Sequence, residues 1–196
     1  MSRTRGFDDE KVRNAIVQVF WERGYEATNL SQLEAATSLV RTSLYNAFGN
    51  KSDMFAQALQ QYHAMIEQLF EEMTRDKSAE ALLGVFEALM EQTDEVSGWP
   101  VGCLMVGAAT QSATLEQSHI EIVRAYRAML VTKTQAVLER DQRLGTLSDE
   151  IDTDSAAELL VCIMWGALVS QCISSSENRS MGGLKTLRQV LSGWVI

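Results

Sequence analysis

Proline is almost missing from this chain, with one in 196 residues, and its 12 glycines stand singly apart from Gly182-Gly183. Sheet-rich folds need many tight turns, which draw on both residues, so the scarcity excludes them and favours long helices with few connections. Cysteine is scarce too. Cys103, Cys162 and Cys172 make neither a disulfide framework nor a zinc spacing, and they suit a reducing compartment. The longest nearly apolar run, residues 159–173, is broken by Ser170 and Gln171 and reads as too short to span a bilayer. The opening MSRTRGFDDE lacks the apolar core of a secretory signal. With 46% hydrophobic and 22% charged residues the chain is no disordered tail, and its length allows one large domain or two small ones. The expectation is a soluble, cytoplasmic, mostly helical protein.

What the chain does have is charge sorted by position. The net charge is −9. Residues 1–52 carry seven Lys and Arg against six Asp and Glu, including Arg3, Arg5, Arg41 and Lys51, while residues 53–196 carry ten against twenty. An acidic body with a neutral-to-basic head permits phosphate binding at one end only.

Apolar spacing predicts the helices. Val12, Ala15, Ile16, Val19 and Phe20 form the stripe of a half-buried first helix over residues 8–23, with Asp8, Asp9 and Glu10 at its positive end and Gly24 stopping it. Thr28 or Asn29 caps a short second helix, Thr37-Ser38 breaks it, and a third short helix covers residues 40–48. Asn50 with Asp53 resembles a capping box for a long fourth helix carrying Phe55, Ala58, Leu59, Tyr62, Ile66, Leu69 and Met73. Further helices are predicted over residues 78–91, 103–113, 118–140, 154–175 and 181–195.

Two short helices after a longer one make a helix-turn-helix unit, whose second helix enters the DNA major groove. In the third helix Val40, Leu44, Ala47 and Phe48 share one side, and Thr42, Ser43, Tyr45 and Asn46 share the other behind Arg41. Short hydrogen-bonding side chains of that kind approach bases and phosphates closely. An ordinary solvated helix face would instead show Lys–Glu pairs, and this one has none.

Gly24-Tyr25-x-x-Thr28, then Leu33, then Leu44-Tyr45-x-x-Phe48-x-x-Lys51 resembles the N-terminal pattern of the TetR/AcrR family of bacterial transcriptional regulators. The resemblance implies an all-α fold of about nine helices: a DNA-binding head over residues 6–66, with its helix-turn-helix near 29–48, and a ligand-binding and dimerisation domain over 67–196. It further implies that Thr28 and Asn29 at the second helix, Tyr45 and Lys51 meet the DNA backbone, and that Arg41, Thr42, Ser43 and Asn46 face the bases. The family's Ala-Gly turn is Thr37-Ser38 here, its third-helix cap is Val40, and the His before the phenylalanine is Ala47. The implied function is a repressor released from a palindromic operator in double-stranded DNA by a small effector, acting as a homodimer, away from any membrane, with neither cofactor nor metal.

In the body, residues 159–173 are apolar nearly all round, with Gly166, Ala167 and Ser170 small enough for a second helix to approach. With a Leu184, Leu187, Leu191 and Trp194 seam, they suggest a four-helix dimer interface. Tyr62, Phe86, Trp99, Met105, Tyr126 and Trp165 are candidates to line an effector pocket, although each also suits a plain core. Cys103, after Gly102 at a helix start, offers an alternative as an oxidant or electrophile sensor, against the plainer reading of a small buried residue. A thiol enzyme pairing Cys103 with His119 is the reading from another class. Glu116-x-x-His119 has metal-ligand spacing but no second copy to complete a site.

Overall fold

The computed structural model describes residues 8–91, 102–173 and 182–196. These form nine helices: α1 (Asp9–Ala27), α2 (Leu30–Thr37), α3 (Arg41–Phe48), α4 (Lys51–Thr74), α5 (Ala81–Glu91), α6 (Leu104–Thr110), α7 (Gln117–Arg143), α8 (Thr153–Ile173) and α9 (Gly182–Ser192). A short 3₁₀ turn, Ser112–Thr114, links α6 to α7, and no β-strand occurs among the described residues. The all-α expectation holds. Trp99 and the basic pair Arg3 and Arg5 lie outside the described residues.

Local chemistry starts and stops these helices where the sequence suggests. The Asp8 carboxylate accepts the Glu10 and Lys11 N–H groups at the head of α1. Gly24 interrupts α1 at φ 74° and ψ 174°, a combination essentially reserved for glycine. Asn29 and Gln32 form one reciprocal capping box, and Asn50 and Asp53 form another. In the second box, Asp53 replaces the usual longer acid and still accepts the Asn50 N–H at 2.8 Å.

Helix α4 joins the two ends of the molecule, packing on α1 at its start and along α7 beyond. Its buried stripe runs Phe55, Ala58, Leu59, Tyr62 and Ile66 as expected, then continues through Phe70 and Thr74 rather than Leu69 and Met73, which are half-buried. The cause is a steady four-residue step from Tyr62 onward, which keeps the stripe on α7. Helix α8 packs along α7 and buries Leu160, Val161, Met164 and Leu168. Over Thr153–Gln171 it is, by length and composition alone, apolar enough to cross a membrane, which the shorter 159–173 run did not suggest. Half its apolar residues are consumed by this core packing.

Candidate nucleic-acid interface and effector cavity

The head is built around α3. Leu44 is wholly buried and Phe48 nearly so, which turns Arg41, Thr42, Tyr45 and Asn46 outward. Ser43 is half-buried. Val40 departs from expectation: it lies on the exposed side, 64% accessible, instead of beside Leu44. As the N-cap it sits before the helix, at φ −74° and ψ 156°, so the helical projection that grouped it with Leu44 does not apply.

Lacking a capping side chain at Val40, the helix takes its cap from α2. The Arg41 N–H donates to Glu34 Oε1 at 2.6 Å. This carboxylate satisfies an orphan donor at the positive end of α3 and fixes the crossing of the two helices. Thr37 and Ser38 replace the usual Ala-Gly turn by different means. The Thr37 hydroxyl donates to the Leu33 carbonyl and accepts the Leu39 N–H, while Ser38 adopts the left-handed conformation at φ 57°. At the other end, Gln57 Nε2 donates to the Phe48 carbonyl at 2.7 Å, and the Arg13 guanidinium donates to Gln57 Oε1 while lying 5.2 Å above the Phe48 ring. Both ends of α3 are therefore pinned by polar groups from α1, α2 and α4.

Around this face, the Arg41 guanidinium lies 5.3 Å from the centroid of Tyr45, which keeps both at the helix entry. The Lys51 ammonium sits 4.6 Å above the Tyr25 ring, at the start of α4. Thr28 corrects the expectation of a hydroxyl offered to DNA: it is 1% exposed, and its hydroxyl donates to the Gly24 carbonyl at 2.7 Å. It serves the bend at Gly24 instead. Asn29 is exposed, but its side-chain oxygen is occupied by the Gln32 N–H and the Ser31 hydroxyl.

The head meets the body at an aromatic joint. His119 at the start of α7 is wholly buried, and its Nε2 lies 3.1 Å from both the hydroxyl and the carbonyl oxygen of Ser52 on α4. Tyr25, tilted, and Phe55, edge-on, pack against the imidazole. Burial and the Glu116 carboxylate raise the Tyr25 phenol above its ordinary range, so it stays neutral. His119 thus ties α7 to the head and does not reach Cys103 as a catalytic partner would. Gln111, just past α6, lies so close to Gly24 that an added Cβ there would come within 2.6 Å of its amide.

Four of the pocket candidates, Tyr62, Phe86, Met105 and Tyr126, are fully buried core rather than cavity walls. Tyr62 and Tyr126 surround Cys103, the N-cap of α6, and the Tyr62 hydroxyl donates to its sulfur at 3.2 Å. Burial pushes the thiol above its ordinary range, although the Tyr62 bond and the α6 backbone N–H groups of Val106 and Met105 pull the other way. Among the described candidates, Trp165 lines open space. It borders a cavity of about 280 Å³ between α6, α7 and α8, walled by Leu115, Ile120 and Val123 and rimmed by Arg124 and Arg127. Arg127 is paired with Glu158 on α8. A second cavity, of about 160 Å³, lies where α1 meets α6, and Ala108 borders both.

The dimer candidates divide. Gly166 and Ser170 are exposed on α8, in line with Leu159, Cys162 and Val169, and a Cβ at Gly166 would meet nothing within 4 Å. Leu184, Leu187 and Leu191 instead point inward and are 8%, 2% and 1% exposed, because α9 lies against α5 and α8 of its own chain; Trp194 is half-buried beside them. Spacing showed a seam, and this chain's own helices fill it. Outward, α9 shows Lys185, Thr186, Arg188 and Gln189.

Comparison with known proteins agrees with this geometry. Residues 12–58 match the family model described as bacterial regulatory proteins, tetR family. The HTH-type transcriptional repressor ComR of Escherichia coli (strain K12) is 29% identical over 184 residues, covering 91% of this chain and 86% of that protein. The TetR family transcriptional regulator CifR, solved as a triple cysteine mutant with 26-base-pair double-strand operator DNA, superposes with a TM-score of 0.84 at 24% identity, over 98% of this chain and all of that one. The reduced form of E. coli NemR superposes at 0.80 and 17% identity, over 95% and 96% of the two chains.

Proposed function

We propose that this chain, which belongs to the tetR family of bacterial regulatory proteins, is a sequence-specific DNA-binding transcriptional repressor that leaves a palindromic operator when a small effector binds its body. It works in the cytoplasm as a homodimer, with a head extending over residues 6–66 and an effector and dimerisation domain over 67–196. The observation that carries the reading is the outward set Arg41, Thr42, Tyr45 and Asn46 on a helix pinned at both ends. Arg41, Thr42, Ser43 and Asn46 read base edges; Tyr45 and Lys51 hold phosphates. Val40, exposed at the entry of α3, adds an apolar surface suited to a thymine methyl. In place of the buried Thr28 hydroxyl, the backbone N–H groups of Leu30 and Ser31, ahead of the capped Gln32, take the phosphate, with Asn29 beside them.

The test is selection of double-stranded DNA from a random pool by the purified protein, followed by affinity measurements on the enriched site. Affinity should fall steeply with salt, as phosphate contacts release counterions. Arg41→Ala and Asn46→Ala should each cost about 1–3 kcal/mol and relax specificity at defined positions, whereas Tyr45→Phe should weaken all sequences alike. Unchanged affinity in all three variants would overturn the reading.

A second reading has one observation in its favour: the Tyr62 hydroxyl bonded to the Cys103 sulfur inside the body. Under it, oxidation or alkylation of Cys103 replaces the soluble effector. Cys103→Ser separates the two: a variant that still leaves DNA on the physiological signal is a ligand sensor.

A further inference from the structure

Resting on the reading above, we propose that the effector is a small, largely apolar carboxylate, held in the cavity between α6, α7 and α8 with its charge on Arg124. The cavity has the size of a site for a compact organic molecule, about 280 Å³. Leu115, Ile120 and Val123 and the Trp165 ring give it apolar walls, which selects an apolar body. Its polar lining is almost wholly donor: the guanidinium groups of Arg124 and Arg127, with the Ser112 hydroxyl. No carboxylate side chain lines it, so a cationic ligand would find no partner there.

The two arginines differ in availability. Arg127 is bound through both its terminal nitrogens by Glu158 and is committed to joining α7 to α8. Arg124, one turn earlier on the same helix, is exposed and has no acidic partner among the described residues. One positive charge at the cavity rim is therefore left over, in a body whose overall charge is negative. A guanidinium takes a carboxylate through two parallel hydrogen bonds, so the site favours a planar carboxylate over a neutral amide of the same shape. Because Ala108 borders both this cavity and the one against α1, occupancy bears directly on the helix that touches the head.

The test uses the full-length protein and a panel of paired probes: benzoate, phenylacetate and octanoate, each with its primary amide. Binding is read by thermal shift and tryptophan fluorescence, with Trp165→Phe assigning the fluorescence change. At least one acid should bind roughly tenfold or more tightly than its amide. Arg124→Gln should abolish that preference while leaving ligand-free melting and affinity for the selected operator unchanged, and an acid that binds should release the operator. The proposal is overturned if no acid outperforms its amide, or if Arg124→Gln preserves the preference. Salt-sensitive operator binding in the same preparation shows that such a failure belongs to the effector assignment, and its loss that the regulator reading itself has failed.

Discussion

A thiol reagent added at neutral pH meets Cys103 in surroundings that suppress its chemistry. The residue is 5% exposed, and burial raises the thiol's pKa despite the Tyr62 hydroxyl and the backbone N–H groups that favour the thiolate. Since the thiolate is the nucleophile, alkylation should be slow at pH 7 and accelerate as pH rises beyond the ordinary thiol range of about 8–9. Peptide mapping over time should show Cys103 labelled at least about tenfold more slowly in the folded protein than in urea, where it is solvated and unshifted. Tyr62→Phe removes a bond that lowers the pKa, so it should move the pH onset upward. Labelling as fast as in urea would mean that the site opens readily, and would favour the thiol-sensor reading.

At the level of whole elements, the bend in α1 is the point where local strain and tertiary contact meet. Gly24 adopts a backbone conformation that other residues reach only at about 1–3 kcal/mol, and a Cβ there also collides with Gln111. Gly24→Ala should therefore lower stability by at least that range in urea unfolding. A Gly24→Ala, Gln111→Ala double variant should recover only the collision part. The Asn50 cap makes an independent case: Asn50→Ala should cost about 1 kcal/mol, since the Asp53 N–H then loses the Asn50 side-chain oxygen that accepts it. Such elements were legible because their signals are local. Gly24, the Asn50–Asp53 box and the Leu44/Phe48 stripe each act within one turn of chain, and each stands where the spacing suggested. What escaped depends on neighbours distant in sequence. Glu34 caps α3 from seven residues away across a left-handed Ser38. His119 reaches Ser52 from 67 residues away. The Leu184, Leu187 and Leu191 spacing suggests a seam between two protomers, but periodicity says only that a stripe is covered. Here α5 and α8 of the same chain do the covering. For the same reason, aromatic content pointed to a pocket around Tyr62 and Tyr126, where the structure has packed core. The open cavity lies one helix face away, beside Trp165.

For the whole molecule, the outward stripe of α8 decides whether two heads work together. Leu159, Cys162, Gly166 and Val169 follow a 3-4-3 spacing on one exposed face, and Gly166 leaves room for a close helix crossing. Residues of this kind do not stay open to water over a whole helix face without a partner. We expect a dimer at micromolar concentration by sedimentation. Gly166→Trp should give monomers with an unchanged melting profile of the single chain, because the position is exposed and a Cβ there meets nothing within 4 Å. Those monomers should lose most of their operator affinity, since a palindrome then engages one head at a time. Cys162 reports the same event chemically: its alkylation should be fast in the Gly166→Trp protein and slow in the parent. Coupling follows from this arrangement. An effector can release DNA only to the extent that it binds one separation of the heads better than the other. The path is short: the cavity borders α6, Gln111 at the end of α6 touches Gly24, and His119 holds α7 to the start of α4. The coupling should be about 1–3 kcal/mol and reciprocal, so saturating operator should weaken effector binding by the same factor by which effector weakens operator binding. Titrating effector with and without operator, and operator with and without effector, measures both arms. A His119→Ala variant, which frees α7 from Ser52, should reduce the two factors equally while each ligand still binds alone. A coupling factor left unchanged in His119→Ala would mean that the contact between His119 and Ser52 does not carry it.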